Sequence, residues 1–444
     1  MKRFSGVLVL SLSLIATIPP GATGAQPSDD DLADALRFRR SFHLDAGEAL
    51  VRRSFQDRDQ FPDDAWGVPL TTDEAADMAA RLRRQDAATA ALEWAAEQPQ
   101  YGGAYIDQAQ DALPIFLFTG GLASARDRIA ELLPDHPFRV ERVERTFDEL
   151  LETVDLAFDE HETLIDLGVP VISLAPDEVL NGLTFVVEQS SSEMRSLLQE
   201  RYDMPVSLKV GRPLQLDCAG YDSCDNPLKG GIRIDRNNWN EENPLCTSSW
   251  IARKSEGDGA RVLVTAGHCI ENNGGTGPNI NWKHDGAVFG NAVGKKWPVG
   301  GIVAVGIISI DEWTSGQSQN RLHFRSPLAG STAQVYPIVA TKSNNAQVKG
   351  LAICRSGARR KLRCGKIERR HEALVSVGRQ MTDMWVVDFD GDGGDSGGPY
   401  FTSTSEFGDA ATAFGIHSGS DEGWNPNGGE GWYSTVQNVD AETA

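Results

Sequence analysis

Two short segments hold residue types that can do covalent chemistry. Residues 394–399 read Gly-Asp-Ser-Gly-Gly-Pro, and residues 265–269 read Thr-Ala-Gly-His-Cys. A serine hydroxyl is a poor nucleophile until a neutral imidazole removes its proton and donors receive the oxyanion that develops. Ser396 is the candidate nucleophile and His268 the candidate base. The glycines let the backbone turn tightly, so the amides of Gly394 and Ser396 can point into one small hole. The expected chemistry is attack of Ser396 on a carbonyl carbon, with His268 taking the proton and returning it to the leaving group.

The rest of the chain must position these segments. From about residue 213 the sequence is Gly-rich, with short alternating apolar runs at 230–234, 262–265, 302–310, 334–340, 373–377, 385–387 and 414–417. Strands at such spacing, with turn residues between them, predict an all-β domain, and its length suits a double β-barrel with the site in the cleft between barrels. Residues 26–212 differ. They contain no cysteine and carry 37 acidic against 18 basic residues, whereas 213–444 carry 26 against 22. Their pattern is helical from Asp29 to about Gln98, strand-like over 101–121, helical over 123–133 and 147–167, then strand, helix and strand over 182–211. This predicts an α/β (α+β) unit that folds separately.

The first 25 residues combine Lys2 and Arg3, an apolar run over 7–18 and small residues ending at Ala25, as in a signal peptide. Export is therefore expected, with no membrane span. The acidic balance, at a formal net charge of −21, opposes a nucleic-acid partner. Ser396 also fits the Gly-x-Ser-x-Gly elbow of α/β-hydrolases, but that fold needs a helix after the serine and a histidine downstream. Pro399 and the β-like residues 400–403 oppose it.

Read together, the two segments resemble the nucleophile and base regions of secreted serine peptidases of the chymotrypsin superfamily, alpha-lytic protease and streptogrisin branch. The layout of residues 26–212 resembles that branch's pro-regions, which assist folding of the peptidase and then block its cleft. The resemblance implies a precursor: signal peptide 1–25, pro-region 26–212, and a chymotrypsin-like peptidase domain 213–444. It implies a buried ion pair between Asp395 and Arg355, the arginine following a loop cysteine. It places Ser418, Gly419 and Ser420 along one wall of the substrate cleft, and Asp390 where trypsin-like members hold the acid that selects Arg or Lys. Six cysteines allow fifteen connectivities. The preferred one joins Cys246 to Cys269, Cys354 to Cys364, and Cys218 to Cys224.

One residue departs from the pattern. Relatives carry an aspartate two residues before a Gly-Ile-Ile strand to orient the histidine, and here that position is Ala304. Asp285 and Asp311 are weak substitutes; Asp311 lies seven residues on, roughly 23 Å along an extended strand. Loss of the orienting carboxylate costs about 10⁴ in kcat, yet leaves rates well above those in water. Two readings follow: a slow serine endopeptidase acting on peptides or proteins, or a pseudopeptidase that binds them. No cofactor or metal is expected. The acids Asp388, Asp390 and Asp392 alternate as in a calcium loop, but position twelve would be Pro399. A base that must be neutral predicts activity rising above about pH 6.5.

Overall fold

The computed structural model describes residues 27–211, 229–236, 246–253, 260–272, 275–277, 280–284, 287–297, 301, 303–310, 321–324, 334–376, 379–403, 410–421 and 429–443. The expected signal peptide, Cys218, Cys224, Asp285 and Asp311 lie outside the described residues.

The first half alternates helices and strands. Helices Asp29–Ser41, Glu48–Gln56, Thr72–Ala87 and Thr89–Ala96 precede a three-stranded sheet of Tyr101–Asp107, Leu113–Phe118 and Arg139–Arg142. The predicted helix over 147–167 is two helices, Phe147–Asp159 and His161–Asp166. Reciprocal capping boxes, Thr71 with Glu74 and Thr146 with Glu149, start two of these helices and satisfy N–H groups left over at their first turns. Strands Val171–Asp177, Gly182–Val187 and Val206–Val210 follow, with helix Ser192–Tyr202 as the crossover between the last two, which run parallel.

The second half is built from two barrels. In one, seven strands run in the order Cys246–Thr247, Arg233–Arg236, Asn281–His284, Ala287–Lys296, Val305–Ser309, Arg261–Thr265 and Ile251–Arg253. Its first and last strands belong to one continuous segment, 246–253, which brings the sheet back on itself. In the other, Ala352–Gly357 pairs with Lys361–Ser376, which pairs with Arg379–Val387, then Gly431–Thr435, Ala411–Ser420 and Pro399–Ser403, which returns to Ala352–Gly357. Six antiparallel strands close a ring with no free edge inside it. This is the chymotrypsin-like double-barrel architecture. Disulfides Cys246–Cys269 and Cys354–Cys364 close one loop in each barrel.

The two halves share a sheet and a core. Strand Val171–Asp177 adds to Lys361–Ser376, with Leu174 opposite Ala373 and Ser173 opposite Leu374. Phe147, Leu174 and Phe185 from the first half lie in one buried apolar cluster with Trp385, Tyr400 and Tyr433 from the second. A buried ion pair, Arg370 to Glu178 at 2.6 Å, crosses the same boundary, and the Arg370 guanidinium stacks 4.2 Å over the Phe147 ring. The break in composition at residue 212 is thus not a break in packing. Among the described residues no helix is long and apolar enough to cross a membrane.

Candidate active site

Strand Arg261–Thr265 runs into helix Gly267–Asn272, which carries His268. Ser396 lies in the turn ahead of strand Pro399–Ser403, in the other barrel. The two backbones meet directly. The Ser396 carbonyl accepts the Thr247 N–H at 2.7 Å, and Cys269 Sγ lies 3.8 Å from the same oxygen. Gly397 takes φ 90°, and a Cβ there would collide with Thr247 O and Thr265 Oγ1 and come within 3.1 Å of Ala266 N. Only glycine lets the nucleophile turn sit this close to the histidine turn. His268 and Ser396 are both fully buried.

The serine side is densely held. Asp395 is buried and takes Arg355 Nη2 at 2.7 Å, Arg359 N–H at 2.9 Å, Arg360 N–H at 3.1 Å and Asp392 N–H at 3.0 Å. Its carboxylate lies so close to the 357–360 turn that a Cβ on Gly357 would strike it. Gly394, at φ 113°, gives its carbonyl to the Thr247 hydroxyl at 2.7 Å. Behind this cradle stands His417, whose Nε2 is 3.2 Å from Arg355 Nη1 and whose Nδ1 is 3.1 Å from the Tyr400 hydroxyl. A guanidinium only donates, so Nε2 is the acceptor and Nδ1 carries the hydrogen. Burial first, and then Arg355, hold His417 well below the usual histidine range, so it is neutral.

The histidine side is bare. Neither ring nitrogen of His268 has a hydrogen-bond partner among the described residues, and the buried Ser418 hydroxyl lacks one too. Trp297 stands edge-on to the imidazole at 5.6 Å. Ala304 is buried beside it, in an apolar cluster of Trp297, Leu374, Met381, Met384, Val386 and Trp432. The strand register fixes its position: Val305 is opposite Lys296 and Gly306 opposite Thr265, so residue 304 falls level with the start of the histidine turn. The Ala304 N–H donates to Ser434 Oγ at 3.0 Å. Burial, aided by His417, pulls the His268 pKa down to about 3. The expected rise of activity above about pH 6.5 concerns a base open to solvent, which His268 is not in the intact chain. In the intact chain the ring is neutral down to strongly acidic pH because burial disfavours its charged form and no carboxylate pairs with it among the described residues.

Similar solved structures include a glutamic acid-specific serine protease described as utilising a novel histidine triad in substrate binding, at 24% identity over 48% of this chain and 97% of that one, TM-score 0.37. Others are Thermobifida fusca protease A, at 22% over 48% and 96%, TM-score 0.36, and a Nocardiopsis protease, at 20% over 49% and 97%, TM-score 0.37. All three are proteases, the first of them a serine protease. No protein-family model matches the chain, and no curated protein matches its sequence.

The three alternating acids ahead of the serine go to separate partners. Asp388 accepts the Lys366 N–H at 2.8 Å, Asp392 pairs with Arg359 and Arg360, and Asp390 meets Arg37 Nη1 at 3.4 Å. Burial pushes the Asp390 carboxyl up, but Arg37, Arg360, Arg355 and Arg363 outweigh it and hold it below the usual range. Asp390 is therefore already neutralised by arginines, one of them contributed by the first helix. Gly419 and Ser420 end strand Ala411–Ser420, opposite Trp432 and Gly431. Sequence reasoning missed His417 and Arg37. The place of His417 at the end of the short apolar run 414–417, all of it buried, was the available signal; nothing local marks Arg37.

Proposed function

We propose that the chain is the latent precursor of a secreted serine endopeptidase of the alpha-lytic protease kind, weakened by alanine at the triad position. Ser396 attacks a peptide carbonyl as His268 Nε2 takes its proton. The amides of Gly394 and Ser396 receive the oxyanion, and the histidinium then protonates the leaving amine. The observation that carries this reading is the cradle around Asp395, whose four donors fix the loop on which the nucleophile and both amides lie. A turn with no chemistry to perform has no need of so many constraints.

Residues 27–211 act in this reading as a built-in folding aid and inhibitor. Their support is the strand added to the barrel sheet, together with the complete burial of Ser396 and His268 in the intact chain. Two disulfides and the leader-like first 25 residues favour export. The substrate is a peptide or protein, and no cofactor takes part.

The second reading, a pseudopeptidase, draws on one specific observation: the buried His268 and Ser418 side chains face no carboxylate, and Ala304 is packed among apolar groups. Labelling with a fluorophosphonate, with Ser396→Ala beside the native sequence, separates the two. Labelling of a processed form that is lost in the variant supports the peptidase. Absence of labelling in folded, processed protein establishes the binding role instead.

A further inference from the structure

The hairpin that cradles Asp395 has a second face. Between its disulfide cysteines it carries Arg355, Arg359, Arg360, Lys361 and Arg363, a run of cations with no acid among them. Arg355 and the 359–360 amides face the nucleophile loop. Arg363 turns the other way, onto helix Asp29–Ser41, and Arg360 spans the two, with Nε at Asp392 and Nη1 at the helix. There Asp30 Oδ2 lies 3.3 Å from Arg360 Nη1, Asp31 Oδ1 3.4 Å from Arg363 Nη2, and Asp34 Oδ2 2.5 Å from Arg363 Nε. Arg37, one turn further on, pairs with Asp34 and reaches Asp390.

Arg363 is the telling residue. Its side chain is only 6% exposed, and its carboxylate partners both come from this one helix. Arg360 would keep its ion pair with Asp392 if the helix left, whereas both ion-pair partners of Arg363 would go and Asp390 would act on it only from a distance. Burial pulls its pKa down to about 10 even with Asp31 beside it. A desolvated guanidinium with five fixed donors is suited to carboxylates: here Nη2 donates to Asp31 Oδ1 at 3.4 Å, and Asp34, one helical turn on, stands in ion-pair contact with Nε without a hydrogen bond to it.

We infer that the 357–363 turn is a recognition site for acidic peptides, one that takes two carboxylates a helical turn apart, and that the first turn of helix Asp29–Ser41 fills it in cis. Once that helix is displaced, the site takes an acidic segment of a substrate or partner, on the outer face of the turn whose inner face holds Asp395. The site stands independently of whether Ser396 is catalytic.

The test uses the full chain and, as probe, a fluorescently labelled peptide of residues 28–41. Ala35→Glu places a charge at a fully buried helix position and unseats the helix. The native chain should not bind the peptide, and the variant should bind it with an affinity that weakens as salt rises. Asp31→Asn with Asp34→Asn in the peptide, or Arg363→Gln added to the protein, should each weaken binding at least tenfold. Equal binding of the acidic and amidated peptides would mean that the seat is only apolar and would overturn the inference. So would no binding to a folded Ala35→Glu chain. If that variant does not fold, amide hydrogen exchange of helix Asp29–Ser41 serves instead. Arg363→Gln in the otherwise native chain should speed exchange at least tenfold, and unchanged exchange would overturn the proposal.

Discussion

The two sides of the candidate site are built in opposite ways. Around Ser396 every element is tied: Asp395 takes four donors, Arg355 is bracketed by Asp395 and His417, and glycines at 357 and 397 allow contacts that no other residue would. Around His268 the backbone is equally well placed but the side chain is left without polar company. Trp297, which stands edge-on to the ring, belongs to an apolar cluster that includes Ala304. The contrast teaches that positioning and activation are separable. The fold can bring a serine and a histidine together through backbone contacts alone, while the histidine's tautomer and basicity depend on one further side chain.

The largest expected effect lies on the bare side. A histidine held neutral in the folded chain takes up a proton when the chain unfolds below its ordinary pKa of about 6.5. Stability from His268 is therefore full above that pH and is lost as pH falls from 6.5 towards 3, by an amount on the order of 5 kcal/mol at most. Urea unfolding of the native chain and of His268→Gln across this window should show a steeper acid loss in the native chain. Parallel curves would mean that the ring is solvated. On the tied side, Asp395→Asn strands the buried Arg355 and should cost about 3–5 kcal/mol, with His417 unable to compensate because it is a neutral acceptor. A loss below about 1 kcal/mol would show that the cradle is redundant. Gly357→Ala is a smaller intrusion on the same carboxylate and should cost about 1–3 kcal/mol, read as a lowered Tm.

Local residue patterns made the tied side legible and left the bare side half visible. Residues 265–269 and 394–399 are dense with constraint, so both were readable from spacing, as were the loops closed by Cys246–Cys269 and Cys354–Cys364. The sequence marked Ala304 as the departure from the expected pattern, but the apolar packing around it was not visible there. Trp297, Leu374 and Trp432 come from three distant segments that no periodicity connects. The same holds for Arg37, whose partner Asp390 is 353 residues away, and for strand Val171–Asp177, whose alternation reads equally well as part of a separate unit. Helix breaks at Ala88 and Glu160 were missed because neither residue is a strong breaker, and both helical patterns run through them.

Under the proposed function, residue 304 is the place from which His268 would be oriented. Ala304→Asp would set a carboxylate level with the start of the histidine turn, whose His268 ring nitrogens have no hydrogen-bond partner among the described residues. The most direct measurement is the rate at which a fluorophosphonate labels Ser396 in processed native protein and in the Ala304→Asp variant, both shown to be folded by circular dichroism. A gain of roughly two orders of magnitude is predicted, part of the about 10⁴ that such an acid supplies. An unchanged rate would contradict the claim, because residue 304 would then not be the place from which the histidine is oriented.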